Sequence, residues 1–469
     1  MSPLLLLNSE GPSQDSQAVP IHLSSGDDWE RVKGKLSAPA ARFAQAMDFR
    51  GQPGRHLVVP DPRGRVGHVL HGIEPDSAQW RDPFGPGRLS ALLPKGDYIF
   101  RGRLPDPVAA CLSWLLSAYR YEAYKSGPAF GARLIAPHGV DVEEVFRIAE
   151  AVLDSRDLVN TPANDLGPEE IEEAIRMMAA GHGAEVRVTV GDALLTENFP
   201  MIHAVGRASP RAPRLIDLSW GAVDAPKVTL VGKGVAFDTG GLNIKPDNAM
   251  LLMKKDMGGA ASAIAAARMM MDARLPVRLR LLVPAVENAL AGNAFRPGDV
   301  LPSRKGFSVE IGNTDAEGRL ILADALALAD EEAPALIADF ATLTGAARVA
   351  LGPDLPPFYT HDDKLAADLA RLSKSVNDPV WRLPLWAPYD ALLDSRIATL
   401  NHISGGPFAG SITAALFLAR FVEKASAHVH FDIFAWNPSA RPGRPEGGEV
   451  QAARLIHALI KERYPRSGP

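Results

Sequence analysis

The sequence has little of what would place a protein in an export pathway, a membrane or a nucleic-acid complex. Its 469 residues include one cysteine, Cys111, so no disulfide can form within the chain. No run approaches the ~18 apolar residues of a membrane span, and the apolar run after Met1 is too short for a signal peptide. A formal net charge of −5 gives no overall field that attracts phosphate. We expect a cytoplasmic protein with no membrane partner, and nucleic acid is disfavoured.

Several catalytic motifs are also missing. Gly232-Lys233-Gly234 follows an apolar run, but neither G-x-x-x-x-G-K-[ST] nor G-x-G-x-x-G is complete, which argues against a nucleotide-binding enzyme. The absence of G-x-S-x-G disfavours a serine hydrolase, and none of the 12 histidines forms the H-E-x-x-H of zincins. Two of these histidines, His428 and His430, lie in an apolar strand pattern that predicts a structural role. Cys111, between Ala110 and Leu112, is predicted to be buried and unreactive.

Length and composition indicate a two-domain globular protein. The chain exceeds the roughly 250 to 300 residues at which one core stops growing, and it is 46% hydrophobic and 22% charged. We predict a small N-terminal α/β domain at residues 1–130, a linker and connecting helix at 131–156, and a larger C-terminal domain at 157–469. In the larger domain, strand-like runs alternate with helical ones, which predicts a mainly parallel central sheet flanked by helices.

The predicted elements of the larger domain place its charged residues at one edge of the sheet. Strand-like runs lie at residues 228–231, 277–283, 308–311, 336–340 and 429–434, and helical patterns at 258–271, 318–331, 345–351 and 451–464. Ligands of open α/β sheets bind at the carboxyl ends of the strands. Two charged stretches, residues 231–256 and 313–320, each follow a predicted strand. We therefore expect both stretches to contribute to one site.

The two stretches together supply four carboxylates and three cations. The first brings Lys233, Asp238 and Lys245 into a glycine-rich loop and Asp256 to the start of a helix; the second adds Asp315, Glu317 and Arg319. A single aspartate would most simply be a solvated loop residue or a helix cap. Four converging carboxylates repel one another by several kcal/mol at low dielectric, so they must take up protons or bind cations. Two divalent ions would balance their charge, and oxygen ligands suit zinc, manganese or magnesium.

At these residues the sequence resembles the leucyl aminopeptidase family, also called cytosol aminopeptidases. Residues 313–320, Asn-Thr-Asp-Ala-Glu-Gly-Arg-Leu, match the signature octapeptide of that family without a change. The match covers most of residues 157–436 and includes residues 157–164, 287–288, 296–300 and 341–346. The resemblance implies a dinuclear metallo-aminopeptidase, a hydrolase that releases N-terminal residues from peptides through a metal-bridging water. It also implies a homohexamer and peptide substrates with a free N-terminus.

The resemblance further implies a role for each charged residue. The metal ligands would be Lys233 as a neutral amine, the bridging carboxylates Asp238 and Glu317, Asp256 at the tighter site and Asp315 at the more exchangeable site. Lys245 would polarise the scissile carbonyl. Arg319 would hold a bicarbonate that acts as general base, because the nearby carboxylates are occupied by metal. A fold relative acting as a DNA-binding or scaffold protein is the alternative, and the seven intact charged positions argue against it.

The resemblance assigns substrate contacts as well. Met253, Thr342 and Gly345 match positions lining the pocket for the first side chain, and Leu343 and Asn313 match backbone and carbonyl neighbours of the substrate. Without the resemblance, Met253 and Leu343 are equally compatible with a place in the core. The segment 434–449 departs from the family pattern, in which Ala-Gly follows the His-Leu-Asp-Ile strand. The resemblance therefore implies the metal chemistry and not a preference for leucine.

Overall fold

The computed structural model describes residues 6–7 and 17–466, which form two compact units. One unit consists of the described part of Met1–Leu153 together with Ser439–Glu446, and the other of Asp154–Pro438 together with the described residues from Gly447 onward. A chain of two α/β units was predicted, and the fold class is confirmed. The short segment Ser439–Glu446 falls within the predicted C-terminal domain but belongs to the first unit.

The first unit is built on a six-stranded sheet. Its strands are β1 (Leu6–Leu7), β2 (Val19–Ser24), β3 (His56–Pro60), β4 (Val66–Gly72), β5 (Gly96–Arg101) and β6 (Ala132–Ile135), in the order β1-β6-β5-β2-β4-β3. Neighbouring strands are parallel except β3 and β4. Its helices are α1 (Trp29–Lys33), α2 (Ala38–Ala46) and α3 (Pro107–Ser117), with a 3₁₀ turn at Gly85–Ala91.

Strand β6 lies in the range 131–156 that the sequence assigned to a linker and connecting helix. The structure differs from that prediction here, because β6 pairs with β1 on one side and β5 on the other and is therefore interior to the sheet. A four-residue strand beside a turn-rich segment carries too little periodicity to be recognised. The connecting helix itself is present as α4 (Val142–Asn160).

Cys111 lies on α3 and is fully buried, as the sequence predicted. Burial, assisted by the charge of Asp106, raises the pKa of its thiol to about 12. Since the thiolate is the reactive form, we expect a maleimide reagent to leave the native protein unlabelled and to add one equivalent after denaturation. Intact mass measurement before and after guanidinium treatment checks this. Stoichiometric labelling of the native protein within minutes would contradict it.

The second unit contains the remaining strands and helices. Its strands are β7 (Glu185–Val190), β8 (Arg214–Trp220), β9 (Lys227–Gly232), β10 (Gly234–Asp238), β11 (Arg278–Asn288), β12 (Val300–Pro302), β13 (Ser308–Glu310), β14 (Leu336–Ala341), β15 (Pro357–Tyr359), β16 (Trp381–Arg382), β17 (Leu400–Asn401), β18 (His428–Asp432), β19 (Trp436–Asn437) and β20 (Gly447–Gly448). After α4, its helices are α5 (Pro168–His182), α6 (Ala193–Thr196), α7 (Pro200–Gly206), α8 (Asp247–Met250), α9 (Gly258–Asp272), α10 (Gly318–Asp330), α11 (Gly345–Leu351), α12 (Asp363–Ser375), α13 (Gly410–Ala419) and α14 (Ala453–Arg463). Short 3₁₀ turns occur at Met253–Met257, Thr314–Ala316 and Ala387–Leu393.

A nine-stranded sheet forms the centre of this unit. The strand order is β16-β15-β18-β14-β9-β11-β8-β7, and β10 also pairs with β11. Strands β18, β14, β9, β11 and β10 are mutually parallel, whereas β15, β8 and β7 add antiparallel pairs toward the edges. The apolar runs of β9 and β14 are buried, which is typical of parallel strands covered on both faces. This confirms the predicted mainly parallel sheet.

The helix after the first charged stretch packs unusually close to the sheet. Helix α9 contacts β9 and β14 and begins with two glycines. A Cβ atom on Gly259 would lie 2.2 Å from the carbonyl oxygen of Phe340, and one on Gly232 of β9 would lie 2.6 Å from Cα of Ala260. Only residues without a side chain fit at these two positions. The close packing brings the turn before α9 against the carboxyl ends of β9 and β14.

Within residues 6–7 and 17–466, no helix combines the length and apolar character needed to cross a membrane.

Candidate metal centre

The predicted charged residues converge at the carboxyl ends of the central strands. Lys233 joins β9 to β10, Asp238 ends β10, and Asp256 lies in the 3₁₀ turn before α9. Asp315 lies in the 3₁₀ turn before α10, whose N-cap residue is Glu317. All are buried except Asp315, which is partly exposed. The two stretches that are far apart in sequence thus form one cluster.

Lys233 lies between the two stretches. Its ammonium nitrogen Nζ is 2.7 Å from Asp256 Oδ2 and 3.0 Å from Glu317 Oε1, and it donates a 3.0 Å hydrogen bond to the carbonyl oxygen of Thr342. Burial lowers the pKa of this ammonium, but the charges of Asp256, Glu317 and Asp238 outweigh burial and raise the pKa overall. Three acceptors therefore hold one lysine nitrogen at the centre of the cluster.

Lys245 pairs with two other carboxylates of the cluster. Its Nζ lies 2.8 Å from Asp238 Oδ2 and also pairs with Asp315. Burial lowers the pKa of Lys245, and the two carboxylates raise it by a larger amount. Lys233 and Lys245 thus pair with four carboxylates between them. The cluster keeps a formal excess of negative charge.

Three carboxylates are spaced to share a cation. One oxygen each from Asp238, Asp315 and Glu317 lie within 4.8 Å of one another. Burial and the charge of Asp238 raise the pKa of Glu317 well above its usual value, and the same two causes raise the pKa of Asp315 to about 6. Both carboxylate oxygens of Glu317 are buried, and Oε1 forms an ion pair with Lys233. This donor set fits divalent ions, whose charge would replace protons on these groups.

Asn288 at the end of β11 connects the two charged stretches. Its Nδ2 donates to Asp238 Oδ1 at 2.8 Å and to the carbonyl oxygen of Thr314 at 3.0 Å. Thr314 in turn donates from Oγ1 to the carbonyl oxygen of Gly240 at 2.6 Å. Asn243 N donates to Thr314 Oγ1 at 2.8 Å, and Thr314 N to Asn243 Oδ1 at 2.9 Å. These contacts fix the glycine-rich loop onto the octapeptide.

Two glycines of the cluster have no room for a side chain. Gly240 has φ of 87°, and a Cβ atom there would lie 2.9 Å from Asp315 Oδ1. A Cβ atom at Gly318, the sixth residue of the octapeptide, would lie 2.5 Å from Cε of Lys233. Gly318 therefore provides the space that the lysine side chain occupies.

Arg319 is buried beside the cluster and is held by a histidine that the sequence did not single out. Its Nη1 donates to the carbonyl oxygen of His402 at 2.8 Å, while its Nε has no hydrogen bond with a described residue. Burial lowers the pKa of Arg319 to about 10, against the opposing charges of Asp432 and Glu317. The backbone N–H of Gly312 donates to His402 Nδ1 at 3.1 Å, and Nε2 lies 2.9 Å from the carbonyl oxygen of Asn313.

The surroundings of His402 keep its imidazole ring neutral. Burial and the charge of Arg319 lower the pKa of its imidazole to about 3. The histidine thus links Arg319 to Asn313 without adding charge. Asn313 itself accepts a hydrogen bond at Oδ1 from Asp315 N at 2.8 Å, which caps the turn carrying that carboxylate.

The predicted substrate residues lie on two neighbouring segments. Met253 is on the same turn as Asp256, and Thr342 donates from Oγ1 to Asp256 Oδ1 at 2.8 Å. Leu343 is half-buried and Gly345 is exposed, directly after Thr342 at the end of β14. Thr342 therefore contacts the charged cluster directly, and Met253, Leu343 and Gly345 lie within three residues of Asp256 or Thr342 along the chain.

Asp432 at the end of β18 fixes the segment after β14, a role that the sequence did not reveal. Its Oδ1 accepts from the backbone N–H groups of Leu343 and Thr344, each at 3.1 Å, and its Oδ2 accepts from Thr344 Oγ1 at 2.6 Å. On the same strand, His428 and His430 contact Asp339 at 2.7 and 2.5 Å, contacts of the structural kind expected for them.

The divergent segment 434–449 begins beside this site. Gln451 Oε1 accepts from the backbone N–H groups of Phe434 at 2.9 Å and Ala435 at 3.0 Å. Ala435 has φ of 59°, a left-handed conformation that costs a residue with a Cβ atom roughly 1–2 kcal/mol. A Cβ atom at Gly258 would overlap the methyl group of Ala435, at 2.1 Å, so Ala435 lies against the start of α9.

Glu449, the last residue of the divergent segment, forms a buried ion pair. Its two carboxylate oxygens accept from Arg156, at 3.1 Å for Nε and 2.8 Å for Nη2. The side chains of both residues are buried, and Asn437 Nδ2 adds a 2.8 Å hydrogen bond to Glu449 Oε2. The pair connects α4 to the residue that follows β20.

Comparison with known proteins identifies matches to both parts of the chain. The model of the cytosol aminopeptidase family catalytic domain matches residues 154–457, and that of the M17 aminopeptidase N-terminal domain matches residues 19–137. A probable cytosol aminopeptidase of Roseiflexus castenholzii is 39% identical over 92% of this chain and 95% of its own length. One of Syntrophotalea carbinolica is 42% identical over 68% of this chain and 65% of its own length.

Two solved structures have the same fold over nearly the whole chain. The cytosol aminopeptidase of Coxiella burnetii superposes with a TM-score of 0.92 at 44% identity and covers 98% of this chain and 99% of its own. The bottromycin maturation enzyme BotP in complex with Mn has a TM-score of 0.84 at 32% identity, covering 95% of this chain and 100% of its own. This chain therefore belongs to the cytosol aminopeptidase family of peptidases.

Proposed function

We propose that this enzyme is a dinuclear metal-dependent aminopeptidase that hydrolyses the first peptide bond of peptides with a free N-terminus. The observation that carries the proposal is the convergence of Asp238, Asp315 and Glu317, whose oxygens lie within 4.8 Å of one another, while the buried Glu317 has one ammonium, that of Lys233, at 3.0 Å from its Oε1 and shares it with Asp256. A buried group of this kind is stable only with compensating charge.

Five residues would hold two divalent ions: Lys233, Asp238, Asp256, Asp315 and Glu317. Zinc, manganese and magnesium suit this mainly oxygen donor set, and the manganese complex of BotP supports manganese. The ions would supply Lewis acidity and a lowered pKa for the attacking water. Ligation through Lys233 requires its neutral amine, and neighbouring cations favour loss of that proton.

The remaining charged residues would act on the substrate. Once Asp238 and Asp315 bind metal, Lys245 has an ammonium available to polarise the scissile carbonyl and stabilise its developing negative charge. Arg319 keeps a buried Nε without a hydrogen bond from the described residues, so it can bind bicarbonate as the proton acceptor that the metal-bound carboxylates cannot provide. Leu343 donates its N–H to Asp432, which leaves its carbonyl oxygen to contact substrate.

The family also suggests the assembly and its place in the cell. The relatives are named cytosol aminopeptidases, and we propose a cytoplasmic enzyme that forms a homohexamer. The first side chain of the substrate would lie against Met253, Thr342 and Gly345, with Asn313 and Leu343 contacting its backbone.

Removal of metal provides the direct test of the proposed chemistry. We expect hydrolysis of amino-acid arylamides to fall by about 10³-fold or more after chelation, because both Lewis acidity and water activation are lost. Added Mn²⁺ or Zn²⁺ should restore turnover, with about two ions per chain by elemental analysis. The control is the same dialysis without chelator. Turnover that survives chelation with no bound metal would refute metal dependence. Absence of turnover with every arylamide in a panel that varies the first residue would refute the proposed aminopeptidase function.

A further inference from the structure

Two positively charged side chains border the predicted substrate residues without a carboxylate partner. Lys255 is adjacent to Asp256 and is 3% exposed, and among the described residues its ammonium forms neither a hydrogen bond nor an ion pair. Its Nζ contacts the ring of Phe434, whose centroid lies 4.9 Å away. A buried lysine of this kind lacks the acceptor that such residues ordinarily have.

Arg348 contacts the same aromatic ring. Its guanidinium carbon lies 4.5 Å from the centroid of Phe434, and among the described residues it too forms neither a hydrogen bond nor an ion pair. A Cβ atom on Gly345 would lie 3.7 Å from Nη2 of Arg348, so the guanidinium borders Gly345. Two cations thus meet at one ring, each with its hydrogen-bond donors unsatisfied by the described residues.

The ring itself is part of the substrate site. Phe434 precedes Ala435, whose methyl group lies against Gly258, and a Cβ atom on Gly258 would also contact Thr342 Cγ2 at 3.5 Å. Met253 lies two residues before Lys255 on the same turn. Lys255, Arg348 and Phe434 therefore lie next to the residues Met253, Thr342 and Gly345 that are predicted to contact the first side chain.

We propose that this pocket selects peptides whose first residue has an acidic side chain, glutamate or aspartate. The proposal rests on the proposed aminopeptidase function. A substrate carboxylate would accept charge-assisted hydrogen bonds from Lys255 and Arg348, and its methylene groups would pack on Phe434. Asp256 does not fulfil this role, because its carboxylate pairs with Lys233 in the metal cluster. A neutral side chain would leave both cations without a partner.

Paired substrates that differ in charge but not in size test the preference. Because a charge-assisted hydrogen bond contributes about 1.5–3 kcal/mol, we expect kcat/KM for a glutamyl arylamide to exceed that for the glutaminyl arylamide by about 10-fold to 100-fold. Leucyl and glutaminyl arylamides should still turn over with metal. Turnover of these two with no glutamyl preference would overturn the acidic pocket and leave the aminopeptidase standing. Absence of turnover with all three would overturn both.

Substitutions at Lys255 and Arg348 test whether these two side chains cause the preference for an acidic first residue. Lys255→Met should lower the glutamyl-to-glutaminyl ratio of kcat/KM by about tenfold, and any loss of turnover common to both substrates cancels in that ratio. The matched control is Lys254→Met, since Lys254 is on the same turn but donates to the carbonyl oxygen of Asn160 at 2.6 Å and should leave the ratio unchanged. Arg348→Met, at an exposed position, gives a second test if Lys255→Met fails to fold. An unchanged ratio in both Lys255→Met and Arg348→Met would overturn the proposal.

Binding measured without turnover gives an independent readout. Calorimetry with free glutamate and glutamine should give a tenfold or larger difference in Kd for the wild-type protein, and Lys255→Met should remove it. A preference for Leu-Glu over Leu-Gln dipeptides, without a preference at the first residue, would show that the cations contact the second residue instead and would overturn the assignment.

Discussion

Asp315→Ala is expected to lose bound metal and turnover together, with kcat/KM lower by about 10³-fold or more. Asp315 is one of three residues whose carboxylate oxygens lie within 4.8 Å of one another, so its removal takes away both a ligand and a compensating charge. Metal content by elemental analysis and arylamide hydrolysis on the same sample measure the two losses. Wild-type melting behaviour in the metal-free state would show that the fold is retained.

Arg319→Ala is the matched comparison for this variant. Arg319 donates to His402 and does not contact a metal-cluster carboxylate within ion-pairing distance among the described residues, so its loss should leave the metal content unchanged. We expect turnover to fall by about 100-fold, the range typical of a lost general acid–base contribution. If Arg319→Ala loses metal at the same point of a chelator titration as Asp315→Ala, the division between ligands and proton-transfer residues is wrong.

Glu449→Ala is expected to lower the free energy of unfolding by about 3–5 kcal/mol, because it leaves Arg156 charged and buried without its bidentate partner. The side chains of Arg156 and Glu449 are 1% and 8% exposed, so solvent cannot replace the lost contact. Denaturant titration followed by intrinsic fluorescence, with metal held constant, measures the loss. Because the chain has two units, the comparison uses the transition of the second unit.

The double variant Arg156→Met, Glu449→Met is the control for this prediction. Replacing both charges removes the ion pair together with its desolvation penalty, so most of the lost stability should return. If the double variant is as unstable as Glu449→Ala, the loss arises from packing and not from an isolated charge. If Glu449→Ala lowers the free energy of unfolding by less than about 1 kcal/mol, the ion pair is screened by solvent in the way that a surface pair is.

The sequence predicted the central strands and the charged cluster because both are carried by local patterns. Continuous apolar runs identified β9 and β14, and the octapeptide together with the glycine-rich loop brought Asp238, Asp315 and Glu317 into one candidate site. Because ligands of open α/β sheets bind at the carboxyl ends of the strands, two stretches separated by about sixty residues could be assigned to one site. These features depend on spacing along the chain, which a sequence displays directly.

The supporting residues could not be predicted in the same way. Asn288, His402 and Asp432 are single polar residues in apolar strands or loops, and each acts on a residue 50 to 90 positions away. No periodicity or short motif marks such a contact, since it exists only once the strands are ordered in the sheet. Strand β6 was missed for a related reason, because four residues are too few to distinguish a strand from a turn-rich connection.

The left-handed backbone at Ala435 has a consequence for how this family changes its substrates. The chain there keeps a conformation that glycine adopts more easily, while Phe434 beside it differs from the alanine of the family pattern. The side chain at position 434 can therefore be replaced while the main chain keeps its path. The strands that carry the charged cluster are not displaced. Lys255 is the exception, because it shares a turn with Asp256. A substitution at Phe434 would thus leave the turn that carries Asp256 unchanged, whereas a substitution at Lys255 would fall on that turn.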